Sequence, residues 1–273
     1  MRLARISHDG VEQVAVVTDD GRRVVPVTGA TTVLDALDLP TPDGPRIPLA
    51  DVRLLAPIER PPKFLAAGLN YEDHLAETGM ARPEFPVFLN KQSTCVVGPH
   101  DDVHKPRVSD LLDYEGELGV VIKQRCRHVP ADRAHEVIAG YLVVNDLTVR
   151  DWQLRSPTMT LGKSFDTHGP IGPWLTTADE IPDPQALTIR TWVNGELVQH
   201  GSTKEMIYDV ATQIATLTTA FTLEPGDVIA TGTPAGVGIA RKPPRWLTVG
   251  DVVRVEIDGL GAIENRVVEE PDA

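Results

Sequence analysis

A short apolar run, Leu118 to Ile122, directly follows two carboxylates spaced two residues apart in the segment LDYEGELGVVIK. A run so rich in β-branched residues is typical of a strand buried in a sheet. Because side chains alternate along a strand, Glu115 and Glu117 point to the same side of it. Two such carboxylates repel each other unless a cation lies between them. The spacing therefore allows either a metal site or a solvated strand end beside a turn.

A third carboxylate, Asp146, follows a second apolar run, Tyr141 to Val144, in GYLVVNDLTVRDWQ. Arg150 and Gln153 come soon after it, and Lys163 follows in LGKSFDTHGPIGPW. Carboxylate oxygens suit a hard divalent ion such as Mg²⁺, which keeps waters that a substrate can replace. These acids and cations at strand ends predict a site for a metal ion and an anionic, oxygen-rich ligand.

Composition excludes several classes of protein. The 273 residues carry 26 basic and 39 acidic side chains, a net charge of −13, which argues against a nucleic-acid partner. No run approaches the ~20 apolar residues of a membrane span, and the N-terminus lacks an apolar signal core. Cys95 and Cys126 form no C-x-x-C pair, so both are predicted to be reduced thiols. We expect a cytoplasmic protein without a nucleic-acid or membrane partner.

The chain is predicted to belong to the α+β class, mostly β, in two parts. Residues 1–58 read as a small N-terminal α/β module, in which MRLARI and VEQVAVVT alternate like strands and Thr31 to Leu37 could form a short helix. The boundary falls in the proline-bearing segment APIERPP. Residues 59–273 are predicted to form one larger β-rich domain.

Two hairpins and one long helix are predicted in the larger domain. Asn194-Gly195 suits a type I′ turn, and Asp258-Gly259 marks a second hairpin. The helix is predicted to begin at Ser202, whose spacing to Glu205 fits a capping box. Its predicted buried stripe consists of Ile207, Val210, Ala211, Ile214 and Leu217.

The segment GLNYEDHLAETG, residues 68–79, also carries candidate chemistry. Asn70 is predicted to cap a helix of two turns, on which His74 and Glu77 share a face and can hydrogen-bond. A histidine oriented by a carboxylate can activate water, whereas the same pair on an exposed helix would signify little. Because so short a helix is unstable alone, residues 70–86 are predicted to be mobile without ligand.

A loop of small residues follows a predicted strand in GDVIATGTPAGVGIA. Its backbone N–H groups between Gly232 and Gly238 are expected to be accessible to carboxylate or enolate oxygens of a ligand. It lacks the lysine of a phosphate-binding P-loop.

Together these segments resemble the fumarylacetoacetate hydrolase family. The matching stretches are GLNYEDHLAETG, FLNKQST, LDYEGELGVVI, GYLVVNDLTVRDWQ, GKSFDTHGPIGPW and IATGTPAGVG, in the family's order within residues 64–238. The hairpin that follows them also fits the family. The resemblance implies the family's mixed β-roll for residues 59–273, and a homodimer.

The resemblance also implies residue roles. Mg²⁺ or Mn²⁺ would be held by the three acids Glu115, Glu117 and Asp146. The implied catalytic residues are His74, Glu77 and Lys163. The implied substrate-binding residues are Tyr71, Lys91, Arg150, Gln153 and Thr233. Pocket shape is expected to come from Tyr71, Met80, Phe85, Trp152 and Met159.

The implied activity is hydrolysis of a C–C bond in a 2,4-dioxo acid of the acylpyruvate or fumarylpyruvate type, in aromatic or sugar-acid catabolism. The products would be pyruvate and a second carboxylic acid. The same site could instead serve an isomerase or decarboxylase of the 2-hydroxyhepta-2,4-diene-1,7-dioate type, or an oxaloacetate decarboxylase. A further alternative is a catalytically inactive metal-binding scaffold, against which the intact set of candidate residues argues.

Overall fold

Strands dominate the computed structural model, which describes residues 1–272. The first ten strands are β1 (Arg2–His8), β2 (Val11–Val17), β3 (Arg23–Pro26), β4 (Ile47–Pro48), β5 (Arg53–Leu55), β6 (Phe64–Gly68), β7 (Val87–Lys91), β8 (Val96–Val97), β9 (Val103–Lys105) and β10 (Leu112–Asp113). The others are β11 (Gly116–Ile122), β12 (Ile138–Asn145), β13 (Thr148–Val149), β14 (Gly169–Thr177), β15 (Thr188–Val193), β16 (Glu196–Ser202), β17 (Val228–Ala230), β18 (Val252–Ile257) and β19 (Gly261–Glu269).

Helices are few and short in the same residues. The α-helices are α1 (Glu72–Thr78), α2 (Arg150–Gln153) and α3 (Val210–Ala220). None of the helices in residues 1–272 is long and apolar enough to cross a membrane. The predicted α+β class with mostly β content is therefore confirmed.

Two large sheets organise the chain. The main sheet has the order β4-β3-β2-β1-β14-β12-β11-β17-β6-β7, with β5 paired to β1 and β8 paired to β14. A five-stranded sheet has the order β16-β15-β18-β19-β9, and β10 pairs with β13. Most pairs are antiparallel, but β6 and β17 are parallel neighbours. The sheets are thus mixed, as the resemblance implied.

Strand β11 is buried along its whole length because both faces of the sheet are covered. Alternate residues enter separate clusters, Val120 on the side of the five-stranded sheet and Val121 on the other. Gly119 is required by this packing, since a Cβ there would lie 2.5 Å from Leu142 and 2.6 Å from Val144. The predicted buried strand after Glu117 is present.

The N-terminal strands extend the main sheet rather than standing apart from it. Arg2 pairs with Thr176 and Leu3 with Leu175, which joins β1 to β14. In place of the predicted helix over Thr31 to Leu37, a 3₁₀ helix covers Asp35–Asp38. The Asp35 carboxylate accepts hydrogen bonds from the backbone N–H groups of residues 31 and 32, which holds the chain in this tighter turn.

Both predicted hairpins are present. Asn194 and Gly195 have φ values of 53° and 81°, and a type I′ turn requires positive φ at both positions. In the second hairpin Ile257 pairs with Gly261, so that three residues form the turn.

The long helix begins at Val210 rather than at Ser202. Ser202 ends β16, and its side chain accepts a hydrogen bond from the Lys204 N–H in a 3₁₀ helix. Asp209 caps the true helix by accepting from the Thr212 N–H at 2.7 Å. Ile207 therefore precedes the helix, whereas three members of the predicted stripe are buried on it, namely Val210, Ile214 and Leu217.

Both cysteines are free thiols, as predicted. Burial raises the pKa of the Cys95 thiol to about 11, so its nucleophilic thiolate form is scarce at neutral pH.

The parallel pair β6 and β17 positions two segments of the candidate site. Because the strands are parallel, α1 and the segment that follows β17, residues 231–239, leave the sheet at the same end of the strands. This segment is called the glycine-rich loop. Asp227 lies at the other end of the pair and is fully buried. It accepts hydrogen bonds from the Lys63 N–H, the Lys63 ammonium and the Glu224 N–H, each at 2.8 Å. These donors compensate the cost of burying its charge.

Asp227→Asn should lower the free energy of unfolding by about 2 kcal/mol, because a neutral amide accepts these charge-assisted bonds less well. Urea unfolding measures the change. The matched control is Asp132→Asn at an exposed position, which should leave the midpoint unchanged. An Asp227→Asn curve superimposable on that of the wild type would contradict the prediction.

Candidate active site

Three carboxylates meet at one edge of the main sheet. Glu115 precedes β11, Glu117 lies within it, and Asp146 follows β12. Gly116 pairs with Asn145, so the start of β11 lies beside the end of β12. One carboxylate oxygen from each acid lies within 4.8 Å of the others, and all three residues are buried. The structure thus brings together the three acids that the sequence pattern selected.

Three buried cations surround these acids. The Lys163 ammonium lies 2.5 Å from Glu115 Oε2 and 2.7 Å from Asp146 Oδ2. The Lys91 ammonium lies 2.6 Å from Asp146 Oδ1, and Arg150 Nη1 lies 2.7 Å from Glu115 Oε1. Burial alone would lower the pKa of Lys163, but the charges of Asp146 and Glu115 outweigh it and raise that pKa. Lys163 is therefore charged in this arrangement.

Glu117 differs from its two neighbours because no cation contacts its carboxylate among the described residues. Its Oε2 accepts a hydrogen bond from the Gly232 N–H at 2.8 Å. Burial, followed by the charges of Asp146 and Glu115, raises the pKa of Glu117 well above its ordinary value. The surroundings of Glu117 therefore disfavour its charged form, as a nearby cation would not.

The donor set fits a hard divalent cation. Three carboxylates supply oxygen ligands, which Mg²⁺ and Mn²⁺ prefer. Such an ion would stabilise the charge of Glu117 most, because the other two carboxylates already contact cations. The fully buried Tyr71 hydroxyl also has no hydrogen-bond partner in residues 1–272, and the Glu117 charge contributes to its raised pKa. An ion with its bound waters would offer this hydroxyl a partner.

The His74–Glu77 pair lies on α1. His74 Nδ1 is 2.8 Å from Glu77 Oε1, and the side chains are 12% and 20% exposed. The hydrogen bond predicted from their spacing is therefore present, and its position is sheltered. The helix has no side-chain cap, since its N-cap residue is Tyr71. Asn70 bonds instead to the backbone of Tyr208 and Thr231, because its amide faces the protein interior.

The glycine-rich loop binds the chain's own carboxylates. Its N–H groups donate to Glu117 from residue 232, to Asp73 from residue 235, to Glu77 from residue 236, and to Asp113 from residues 238 and 239, over 2.7–3.1 Å. The expectation that the N–H groups between Gly232 and Gly238 are accessible to ligand oxygens is therefore wrong for the four at residues 232, 235, 236 and 238. Glycine is needed at position 236, where φ is +109° and a Cβ would lie 2.1 Å from Val198 O.

Asp113 is a site residue that the sequence reasoning missed. It is fully buried and accepts hydrogen bonds from the Gly238 and Ile239 N–H groups. Its Oδ2 also lies 2.8 Å from Arg150 Nε and 2.7 Å from Arg150 Nη2. Asp113 thus fixes the guanidinium that contacts Glu115. The sequence does contain a signal for Asp113. It lies two residues before Glu115, which is the same spacing as that between Glu115 and Glu117.

A cavity of about 560 Å³ lies over the carboxylates. Most predicted site residues line it, namely His74, Glu77, Glu115, Glu117, Arg150, Gln153, Lys163 and Thr233. Asp146 lies beneath them, bonded to Lys163 and Lys91. The Thr233 hydroxyl donates a hydrogen bond to Gly116 O at 3.0 Å and accepts one from the Gln199 amide.

Two predicted substrate contacts do not line the cavity. Lys91 is buried behind Asp146, where its ammonium also donates to Lys163 O. Tyr71 is fully buried. Of the residues expected to shape the pocket, Met80 and Met159 line it. Phe85 is 71% exposed outside it, and Trp152 packs against Phe165 with ring centroids 5.3 Å apart.

Family models match nearly the whole chain. The model described as fumarylacetoacetate hydrolase C-terminal matches residues 63–268. A second model, described as Rv2993c-like, N-terminal, matches residues 1–57.

Relatives of known sequence or structure cover the chain almost completely. A Burkholderia ambifaria protein with a provisional hydrolase name is 43% identical over 272 residues, covering 96% of each chain. The structure of fumarylacetoacetate hydrolase from Exiguobacterium antarcticum is 38% identical with a TM-score of 0.89, covering 99% of this chain and 100% of that one. The structure of 2-hydroxyhepta-2,4-diene-1,7-dioate isomerase from Mycobacterium marinum is 35% identical with a TM-score of 0.84, covering 100% of both. The chain therefore belongs to the fumarylacetoacetate hydrolase family.

Proposed function

We propose that this protein is a divalent-metal-dependent hydrolase that cleaves the C–C bond of a 2,4-dioxo acid of the acylpyruvate or fumarylpyruvate type. One observation carries the proposal: the His74–Glu77 pair and the carboxylates Glu115 and Glu117 line the same cavity. Hydrolysis needs a base for the attacking water and a place for negative charge on the leaving fragment. This cavity offers groups suited to both.

The charges around the cavity support an anionic substrate. The buried acids are Asp113, Glu115, Glu117 and Asp146, and the buried cations are Lys91, Arg150 and Lys163. With all seven buried groups ionised, this cluster has one surplus negative charge, which a divalent ion would convert into one positive charge. Among the other residues that line the cavity, Glu77 adds a negative charge, whereas Arg241 and Lys242 add positive charges. A cation held by Glu115, Glu117 and Asp146 would supply Lewis-acid polarisation of the substrate's oxygens.

His74 is oriented to act as a base through one defined nitrogen. An ionised carboxylate only accepts hydrogen bonds, so the 2.8 Å contact with Glu77 places the proton on His74 Nδ1. Glu77 Oε2 accepts from the Gly236 N–H at 2.9 Å, which fixes the carboxylate from its other side. His74 Nε2 is then left with a lone pair that can take a proton from water.

The proposed reaction uses these groups in the following order. His74 Nε2 takes a proton from a water molecule as its oxygen attacks the distal carbonyl carbon, C4. The C3–C4 bond breaks, and its electron pair passes to the pyruvate fragment as an enolate. The Lys163 ammonium offers positive charge to the enolate oxygen. Proton return from the His74 imidazolium to C3 yields pyruvate, beside the carboxylic acid formed from the other fragment.

The isomerase named among the relatives favours a second candidate function. Isomerisation of a hydroxyheptadienedioate, like decarboxylation of oxaloacetate, needs enolate stabilisation without an attacking water. The carboxylates and Lys163 would serve either reaction, whereas water activation by the His74–Glu77 pair is required for hydrolysis alone.

His74→Ala should reduce the hydrolysis of acylpyruvates by about 10²–10⁴-fold, the usual contribution of a general base. Any decarboxylation of oxaloacetate should be largely retained, because it uses no activated water. Pyruvate release from both substrates measures the two activities. His135→Ala at an exposed position is the control and should leave both unchanged. An equal loss of both activities in His74→Ala would contradict water activation by this residue.

Metal binding should depend on the protonation of Glu117. Because its pKa is raised, a proton competes with the ion at lower pH, so affinity for Mn²⁺ should increase with pH. Glu117→Gln should weaken binding by more than about tenfold, the loss seen when even an outer-shell partner is removed. Calorimetric titration across the neutral pH range measures both effects.

Glu269→Gln, at an exposed position, is the matched control for the titration and should bind Mn²⁺ as the wild type does. Wild-type affinity in Glu117→Gln would place the ion elsewhere.

A further inference from the structure

The helix that carries His74 has little apolar surface to hold it. Helix α1 has seven residues, and Leu75 is the only one of them that is buried. A helix of this length is unstable by itself, so contacts with the rest of the protein must keep His74 in place. Polar contacts must therefore contribute to the position of α1 and of His74 on it.

Two carboxylates of α1 bind successive backbone N–H groups of the glycine-rich loop. Asp73 Oδ2 accepts from the Ala235 N–H at 3.1 Å, and Glu77 Oε2 accepts from the Gly236 N–H at 2.9 Å. Residues 73 and 77 are four apart and lie on one helical face. Two charge-assisted hydrogen bonds therefore join the helix to the loop.

The Asp73 carboxylate contacts backbone N–H groups, as expected of a residue that positions other groups. Its other oxygen, Oδ1, accepts from the His74 N–H at 2.8 Å, so one carboxylate joins the base's own backbone to the loop. Unlike His74 and Glu77, Asp73 does not line the cavity.

We propose that Asp73 is a positioning residue, which docks α1 on the loop and thereby fixes His74 over the buried carboxylates. The predicted effect on hydrolysis rests on the proposed function. The predicted effect on the docking of α1 does not.

Glu72 offers a matched control on the same turn of the helix. It pairs with Arg82 at 2.7 Å, and the two side chains are 48% and 60% exposed. An exposed pair of this kind contributes little. Glu72→Ala removes a negative charge from the first helical turn, as Asp73→Ala does, but leaves the contacts with the loop intact. Comparing the two variants separates docking from any general effect of charge on the helix.

Amide hydrogen exchange of residues 72–79 tests the docking directly. Asp73→Ala should increase exchange by about tenfold or more, as expected for the loss of a charge-assisted hydrogen bond. Asp73→Asn keeps one acceptor oxygen and should recover part of the protection. Glu72→Ala should exchange like the wild type. Unchanged protection in Asp73→Ala, or an equal increase in Glu72→Ala, would overturn the proposal.

Steady-state hydrolysis of an acylpyruvate tests the consequence for His74. Asp73→Ala should lower kcat by about tenfold or more, since a small displacement of a catalytic group is costly. KM should stay near the wild-type value, because Asp73 does not line the cavity. Asp73→Asn should again be intermediate. Faster exchange with an unchanged kcat would show that docking by Asp73 does not position His74, and would overturn the proposal.

Failure of the proposed function can be distinguished from failure of the positioning role of Asp73. If the wild type hydrolyses no dioxo acid, the proposed function fails, while hydrogen exchange still decides whether Asp73 docks α1. A fall in kcat with unchanged exchange would likewise rule out docking as the role of Asp73.

Discussion

Acidic side chains can be buried side by side in this protein because cations and backbone N–H groups are brought to them. Lys163 bridges Glu115 and Asp146, while Arg150 bridges Glu115 and Asp113. Glu117 is left without a cation, and burial raises its pKa. A cation bound at Glu117 would therefore offset the repulsion and burial that disfavour its charged form. The pairing of β11 with β12 brings the acids together, and the cations offset the repulsion that results.

The glycine-rich loop connects the carboxylates to the candidate base. Its N–H groups hold Glu117 in the sheet, Glu77 on α1, and Asp113 behind Arg150. Because β6 and β17 are parallel, α1 and the loop begin at the same end of the strands and can meet. The N–H groups of residues 232, 235, 236, 238 and 239 donate to the protein's own carboxylates and so hold side chains around the cavity. The loop backbone thus acts on the site through carboxylates.

Local patterns in the sequence predicted local geometry well. Alternation along β11 placed Glu115 and Glu117 on one face, and spacing along α1 predicted the contact between His74 and Glu77. Contacts between distant segments were not predictable in this way. The ion pair between Lys91 and Asp146, for example, joins residues 55 apart in sequence. The start of α3 was misplaced because the Ser202 pattern suits a 3₁₀ helix equally well. The loop N–H groups were misjudged because their partners lie on other elements.

Activation of water beside a divalent-ion site, as proposed for this cavity, is tested most directly with oxygen-18-labelled water. The purified protein is incubated with an acylpyruvate in this water, with and without Mg²⁺ or Mn²⁺ after chelation. Pyruvate should form only with the ion, and the label should enter the released carboxylic acid. Pyruvate formed equally without the ion, or an unlabelled acid product, would contradict the proposal.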